Sequence, residues 1–268
     1  MAPRKDIEHY WPDRLLEANQ RNLKRTKKET EKLLRKLYKE QSEDLYMYLL
    51  DVFAKIAADK EDGKVYINDL FLTVRYNQLI EHFNECAKKI GGEQVKITEA
   101  ALIKTYEEAQ EEVDKYIPKD KVRTSFLVPS AINAEQAIHQ VWCLDGKGEF
   151  SDRIWKNKEA LVKQLTKTMA DFTAKGESPY KLSQEIVRNL AADEYCAYRI
   201  ARTETAHAQV KGQVDKYKSM GFTHGIFNAT DPCEDCGKLH GQIFTLDEIQ
   251  TLIPRHPNCE CGFLLKVD

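Results

Sequence analysis

Cys233-Glu-Asp-Cys236 and, further on, His256-Pro-Asn-Cys259-Glu-Cys261 decide how the C-terminal end of this chain folds. A Cys-x-x-Cys pair on a tight turn brings two thiolates to one ion at a separation the backbone already favours, and tetrahedral zinc takes four soft or borderline ligands. Twenty-two residues lie between Cys236 and Cys259, a usual gap between two half-sites. Five donors then compete for four positions. Cys233, Cys236 and Cys259 are favoured, with His256 and Cys261 contending for the fourth place. Closed sites rich in cysteine are structural, so the expected cofactor is a structural Zn2+ that staples a small β element.

The remaining cysteines fit this reading. Of seven in the chain, four fall in the last 36 residues, and Cys86, Cys143 and Cys196 stand alone. A disulfide framework is distributed differently. Isolated cysteines in a reducing compartment usually serve as small apolar core residues. The start, Met1-Ala-Pro-Arg-Lys-Asp6, lacks the apolar stretch of a secretory signal, and no run approaches bilayer-crossing length. The expectation is a chain made and folded in a cytoplasm, without a membrane partner.

Upstream of the cysteines the pattern is helical. Between Asp13 and Asp59, Gly and Pro are missing and Leu34, Leu37, Tyr38, Leu45, Tyr48, Leu49, Val52 and Ile56 recur at steps of three and four. That spacing predicts a long amphipathic helix, or two in series, ended by Asp62-Gly63. A second helix is expected from Asn68 or Asp69 to a stop at Gly91-Gly92, and a third from Thr98 to Tyr116, closed by Pro118. After the turn cluster Asp145-Gly-Lys-Gly148, three more helices are expected. They run over 151–175, from Ser178-Pro179 to about Leu190, and from Asp193 to Met220, with Gly176 and Gly221 as stops. Short β-type runs follow at 223–227, 242–245 and 262–267. The fold class is therefore mainly α with a small C-terminal zinc-stapled β element (α+β). The expected division is a helical N-terminal domain over 1–145 and a second domain over 146–268.

Charge excludes a global attraction to polyanions, because 41 Lys+Arg nearly cancel 43 Asp+Glu. Locally the balance differs. Nine Lys/Arg fall between Arg21 and Lys39 against two acids, which makes Arg21, Lys24, Arg25, Lys28, Lys32 and Arg35 candidates for contact with phosphates or an acidic protein surface. Glu107, Glu108, Glu111, Glu112 and Asp114 form an opposite patch that can answer the basic one, within the bundle or between copies. Trp11, Trp142 and Trp155 are not interleaved with the basic stretch and read as packing anchors. His9, His82 and His139 lack ligand spacing.

Two enzymatic readings compete with a structural one. Pro232-Cys233-x-x-Cys236 is half of a zinc-deaminase pattern, and His207-Ala-Gln209 lies where the other half would be. Gln209, however, cannot shuttle a proton as the required Glu does, and the reading leaves His256, Cys259 and Cys261 without a role. A zinc-dependent nuclease is the second rival, with His224, His240 and His256 near acidic residues but no general base to name. Arg202 and Glu204 share one helix and, two residues apart, reach different partners rather than each other.

Taken together, Arg199-Ile-Ala-Arg202-Thr-Glu204, the helix-ending Gly221, Asp231-x-Cys233-x-x-Cys236-x-x-Leu239-x-Gly241-x-x-Phe244 and His256-Pro-Asn-Cys259-x-Cys261 resemble the head-morphogenesis domain of tailed bacteriophages. The F-like protein of phage Mu typifies that family. The resemblance covers roughly 148–267. It departs at His240, where the family usually has Asp or a similar residue, and at Glu260, where Arg is common. What the resemblance implies is a minor capsid protein in the virion interior, assembled in the host cytoplasm, associated with the portal and capsid proteins and with the packaged DNA or its ejection. It also implies a structural role with no catalysis and no small-molecule substrate, and Arg202 and Glu204 as scaffolding of the domain.

Overall fold

The computed structural model describes residues 7–58, 74–122, 133–142, 148–230 and 233–266. In chain order these form α1 (Ile7–Ala58), α2 (Val74–Tyr116), a 3-10 turn at Lys119–Lys121, α3 (Ala134–Ile138), α4 (Phe150–Ala174), α5 (Pro179–Ser219), β1 (His224–Asn228), α6 (Glu234–Gly237), β2 (Ile243–Thr245), α7 (Leu246–Leu252) and β3 (Gly262–Leu265). The described chain is thus mostly helical, with one small antiparallel sheet at its C-terminal end. The Asp62-Gly63 stop, the Asn68 or Asp69 N-cap, Cys143, most of the 145–148 turn cluster and Asp231-Pro232 lie outside the described residues.

Three helix boundaries depart from the spacing argument, each for an identifiable reason. The expected break at Gly91-Gly92 does not occur, and α2 runs straight through it. Gly91 is there for proximity: a Cβ on it would stand 2.6 Å from Cζ3 of Trp155, whereas one on Gly92 would meet nothing within 4 Å. The two helices expected on either side of Leu190 are one helix, α5. Ala191, Ala192 and Asp193 hold no breaker, and Asp193 faces inward to a buried lysine. Helix α1 also begins earlier than Asp13 and carries Pro12 inside it. Pro12 is six residues into the helix, so the backbone hydrogen bond that its missing N–H removes lies within the first two turns. By contrast, Gly176 and Gly221 end their helices as expected, at φ of 64° and 81° where a Cβ would be strained.

The chain forms two compact units, each drawn from separated segments. One comprises the described parts of Met1–Thr30, Thr98–Phe150 and Arg199–Asp268; the other comprises those of Glu31–Ile97 and Ser151–Tyr198.

In the second unit, apolar residues at helical spacing (Leu34, Leu45, Leu49, Leu79, Phe83, Leu165, Leu182, Ile186) are buried. They surround one polar layer. Lys158 is 3% exposed and Asp193 8%, and Lys158 Nζ donates to the Asp193 carboxylate and, at 2.5 Å, to Tyr38 Oη. Tyr38 in turn donates to Asp193 Oδ2 at 2.5 Å. Burial pushes the Lys158 ammonium down and the Tyr38 phenol up, while the carboxylate between them favours the charged lysine.

In the first unit the sheet has the order β2-β1-β3, with His224 opposite Thr245 and Ile226 opposite both Ile243 and Leu264. A capping box at Thr245 and Glu248 starts α7 directly from β2. One core joins Leu15 of α1, Val113 and Ile117 at the end of α2, Val210, Val214 and Tyr217 of α5, the sheet residues Phe227, Phe263 and Leu265, and Cys236, Cys259 and Cys261. Helices from distant sequence therefore carry the cysteine-bearing loops.

Candidate metal centre

Two loops deliver the donors. Cys233 is the N-cap of α6, and the turn closes as the Gly237 N–H donates to the Cys233 carbonyl, which brings Cys236 back beside Cys233. The second loop leaves α7, and Asn258 takes the left-handed conformation at φ 62°, which turns Cys259 and Cys261 inward behind His256. Leu239 N–H to the Cys236 carbonyl and Gly241 at φ 78° bend the intervening chain back into β2.

The donor atoms fall into two overlapping triads, Cys233-Cys236-His256 and Cys236-Cys259-Cys261, each with all its ligating atoms within 4.8 Å of one another. Cys236 belongs to both and is fully buried, while Cys233 and His256 are exposed. His256 Nε2 stands 3.4 Å from Cys233 Sγ and 3.5 Å from Cys236 Sγ. A nitrogen and a sulfur on one tetrahedral zinc are about 3.6 Å apart, so these spacings suit a shared ion. The other ring nitrogen, Nδ1, donates to the Pro257 carbonyl at 2.9 Å. That bond fixes the tautomer and leaves the Nε2 lone pair facing the sulfurs. The arrangement fits a thiophilic divalent ion, with His256 placed as well as any cysteine.

The electrostatics of the cluster also suit ligation. The Cys236 backbone N–H, then the Cys236 side chain and other donors, hold the Cys233 thiol below its usual range. The Cys261 S–H and N–H, with the Arg255 N–H, hold Cys259 down at about 5, despite its burial. Burial and the hydrogen bond that the Cys236 S–H donates to Cys233 push Cys236 up to about 11, and the one that the Cys261 S–H donates to Cys259 pushes Cys261 up. The shifts run in opposite directions within each pair, Cys233 and Cys259 favouring the thiolate that a metal ion takes as ligand.

Other candidate residues lie elsewhere. His207 is in neither triad: its ring stacks on Trp142 at 4.2 Å. Gln209 donates from Nε2 to the Asn19 carbonyl at 2.6 Å. The pair that tempted a deaminase reading is thus built into helix packing. Glu204 is buried and accepts the Trp142 Nε1–H at 2.8 Å, and Arg202 is half-buried on the same helix. The residue between them was missed by the sequence reading. Thr203 Oγ1 accepts the Asn258 N–H at 3.3 Å, tying the Arg-Thr-Glu turn of α5 to the second cysteine loop. Its position inside the quoted motif was the available signal.

The basic stretch is partly answered. Arg25 pairs with Glu108 at 2.6 Å and Asn22 reaches Glu112, so the acidic patch of α2 meets the basic patch of α1 within the chain. Lys24, Lys28 and Lys32 remain exposed on α1 with Arg21 and Arg35. Among the other histidines, His82 stacks on Tyr48, and His139 lies between Glu149 and Glu99, with Nδ1 at 2.5 Å from the first and Nε2 at 3.1 Å from the second.

Residues 163–264, which hold α5, β1, β2, all but the last residue of β3 and all five donors, match the family model described as phage Mu protein F like protein. The similarity to the phage Mu F-like family is to this segment, less than half of the chain. Over those residues the likeness to phage Mu protein F suggests a role in phage head morphogenesis. No curated protein and no solved structure matches the chain. Among the described residues, no helix of the chain is long and apolar enough to cross a membrane.

Proposed function

We propose that this chain is a minor head protein of a tailed bacteriophage that acts in assembly, inside the head beside the portal, without catalysing a reaction. In this reading residues 146–268 are the head-morphogenesis region and 1–145 a helical N-terminal region. A structural Zn2+ is held by Cys233, Cys236, His256 and one or both of Cys259 and Cys261. The observation that carries the reading is the coincidence of the Mu F-like match with a donor cluster set in the core of the same segment. Portal and capsid proteins are its partners, and the exposed cations of α1 (Arg21, Lys24, Lys28, Lys32, Arg35) are its candidate surface toward the portal or packaged DNA. A cluster with five donors within reach leaves little room for the open water position that zinc hydrolases and deaminases keep.

Mass spectrometry of purified particles, with metal analysis of the isolated protein, tests both halves. The chain is expected in the particles at low copy number, with about one zinc per chain. Absence from particles overturns the virion role, and absence of metal overturns the centre.

A further inference from the structure

Four separate contacts tie the first part of α1 to the two cysteine loops, more than 200 residues away. Leu15 shares one core with Cys236, Cys259 and Cys261. Leu16 Cδ1 would be 3.2 Å from a Cβ on Gly262, the residue after Cys261. Gln20 Nε2 donates to Thr230 Oγ1 at 3.0 Å, and the Thr230 backbone N–H is itself hydrogen-bonded to the Cys261 sulfur. Lys27, 9% exposed, places Nζ 3.9 Å from Glu260, the residue between Cys259 and Cys261. Asn19 adds a bond to α5 through its carbonyl. On the opposite face of the same turns, Arg21, Lys24 and Lys28 are exposed.

We propose that the metal centre is the clasp that docks residues 14–28 of α1, so that metal occupancy controls how firmly the Arg21, Lys24 and Lys28 row is presented. The inference rests on the metal reading above. The free energy of metal binding in small elements of this kind is folding free energy. When the ion leaves, the 233–236 turn and the 254–261 loop lose their common tie point. Of the four anchors for α1, Glu260 is on the second loop, Gly262 directly follows its Cys261, and Thr230 lies three residues before Cys233. The inner face of 14–28 then has fewer fixed partners, although Arg25 keeps Glu108. Both consequences fall on this chain's own backbone and are read without any assay of function.

Hydrogen exchange by mass spectrometry on the full chain, with and without a strong chelator, provides the test, with metal content measured on the same samples. Chelation is expected to raise exchange about tenfold or more in peptides covering 14–28 as well as in the cysteine loops. A rise confined to the loops overturns the clasp while leaving the metal centre in place. Protein that carries no metal as purified overturns both. A second pair of variants works without removing the ion. Lys27→Glu and Glu260→Lys should each raise exchange at 14–28 at full metal content, and the double variant should bring it back toward the parent value. Unchanged exchange in both single variants would count against Glu260 as an anchor and sink the proposal in this form.

Discussion

Cys236 occupies a position that no other donor shares. It belongs to both triads and has no exposure, while Cys233 is at the surface of the loop. Cys236→Ser is therefore expected to abolish stoichiometric metal binding and cost several kcal/mol of stability, on the order of 3 or more, and Cys233→Ser to weaken binding with a smaller loss. Metal content and thermal melting of the purified variants measure the difference, and equal effects would refute the placement. Glycines give a second residue-scale test, because the same substitution has opposite signs at two sites. On Gly212 of α5 a Cβ would lie 2.5 Å from the Tyr106 carbonyl oxygen, an atom that cannot move without moving α2. Gly212→Ala should cost roughly 1–3 kcal/mol. On Gly92 the space is open, so Gly92→Ala should gain roughly 0.5–1 kcal/mol from helix propensity alone. Urea titration of the two variants reads both signs.

At the scale of elements, the Lys158-Asp193-Tyr38 layer joins α4, α5 and α1 of one unit inside an otherwise apolar interior. Removing one charge leaves the other buried and unpaired, which costs about 3–5 kcal/mol, whereas replacing the whole layer by apolar groups is near neutral. Lys158→Met is thus expected to be strongly destabilising, and Lys158→Met combined with Asp193→Leu and Tyr38→Phe to recover most of the loss. Denaturant midpoints decide it. His139 offers a pH-dependent contact at the end of α3. The hydrogen bond to Glu149, helped by the one to Glu99 and opposed by partial burial, raises its pKa above the ordinary imidazole value of 6.5. A group with a raised folded-state pKa gives stability that is complete below its unfolded value and lost as pH rises through the folded value. The contribution is therefore present below 6.5 and fades above it. His139→Gln should flatten that part of the stability-pH profile while leaving acid behaviour to the carboxylates. An unchanged profile would show that the two glutamates do not hold the imidazolium.

For the whole molecule, the decisive feature is that the core around the cysteines is assembled from three separated stretches. Leu15, Val113 and Ile117 are not within 146–268, yet they belong to the core that holds Cys236, Cys259 and Cys261. A fragment limited to 146–268 is expected to bind metal but to lack a sharp thermal transition, and to regain one on mixing with 1–145. Circular dichroism of the fragments and the mixture tests this. Metal removal from the full chain should lower the melting temperature of the unit containing the cluster, since the ion's binding energy is part of its folding energy.

The sequence by itself determined what depends on local chemistry. Thiols at Cys233, Cys236, Cys259 and Cys261 with His256 define a donor set whatever their neighbours, Gly176 and Gly221 supply the left-handed residues that end α4 and α5, and the alternation after Gly221 marks short strands. Only the tertiary structure decided matters that depend on proximity. Gly91 is a close-approach residue rather than a stop because Trp155 lies against it, α5 continues past Leu190 because Asp193 finds Lys158, and part of the basic stretch is neutralised because Glu108 faces Arg25. Spacing along a chain encodes which face a residue takes. The partner waiting at that face belongs to another element, and only folding brings the two together.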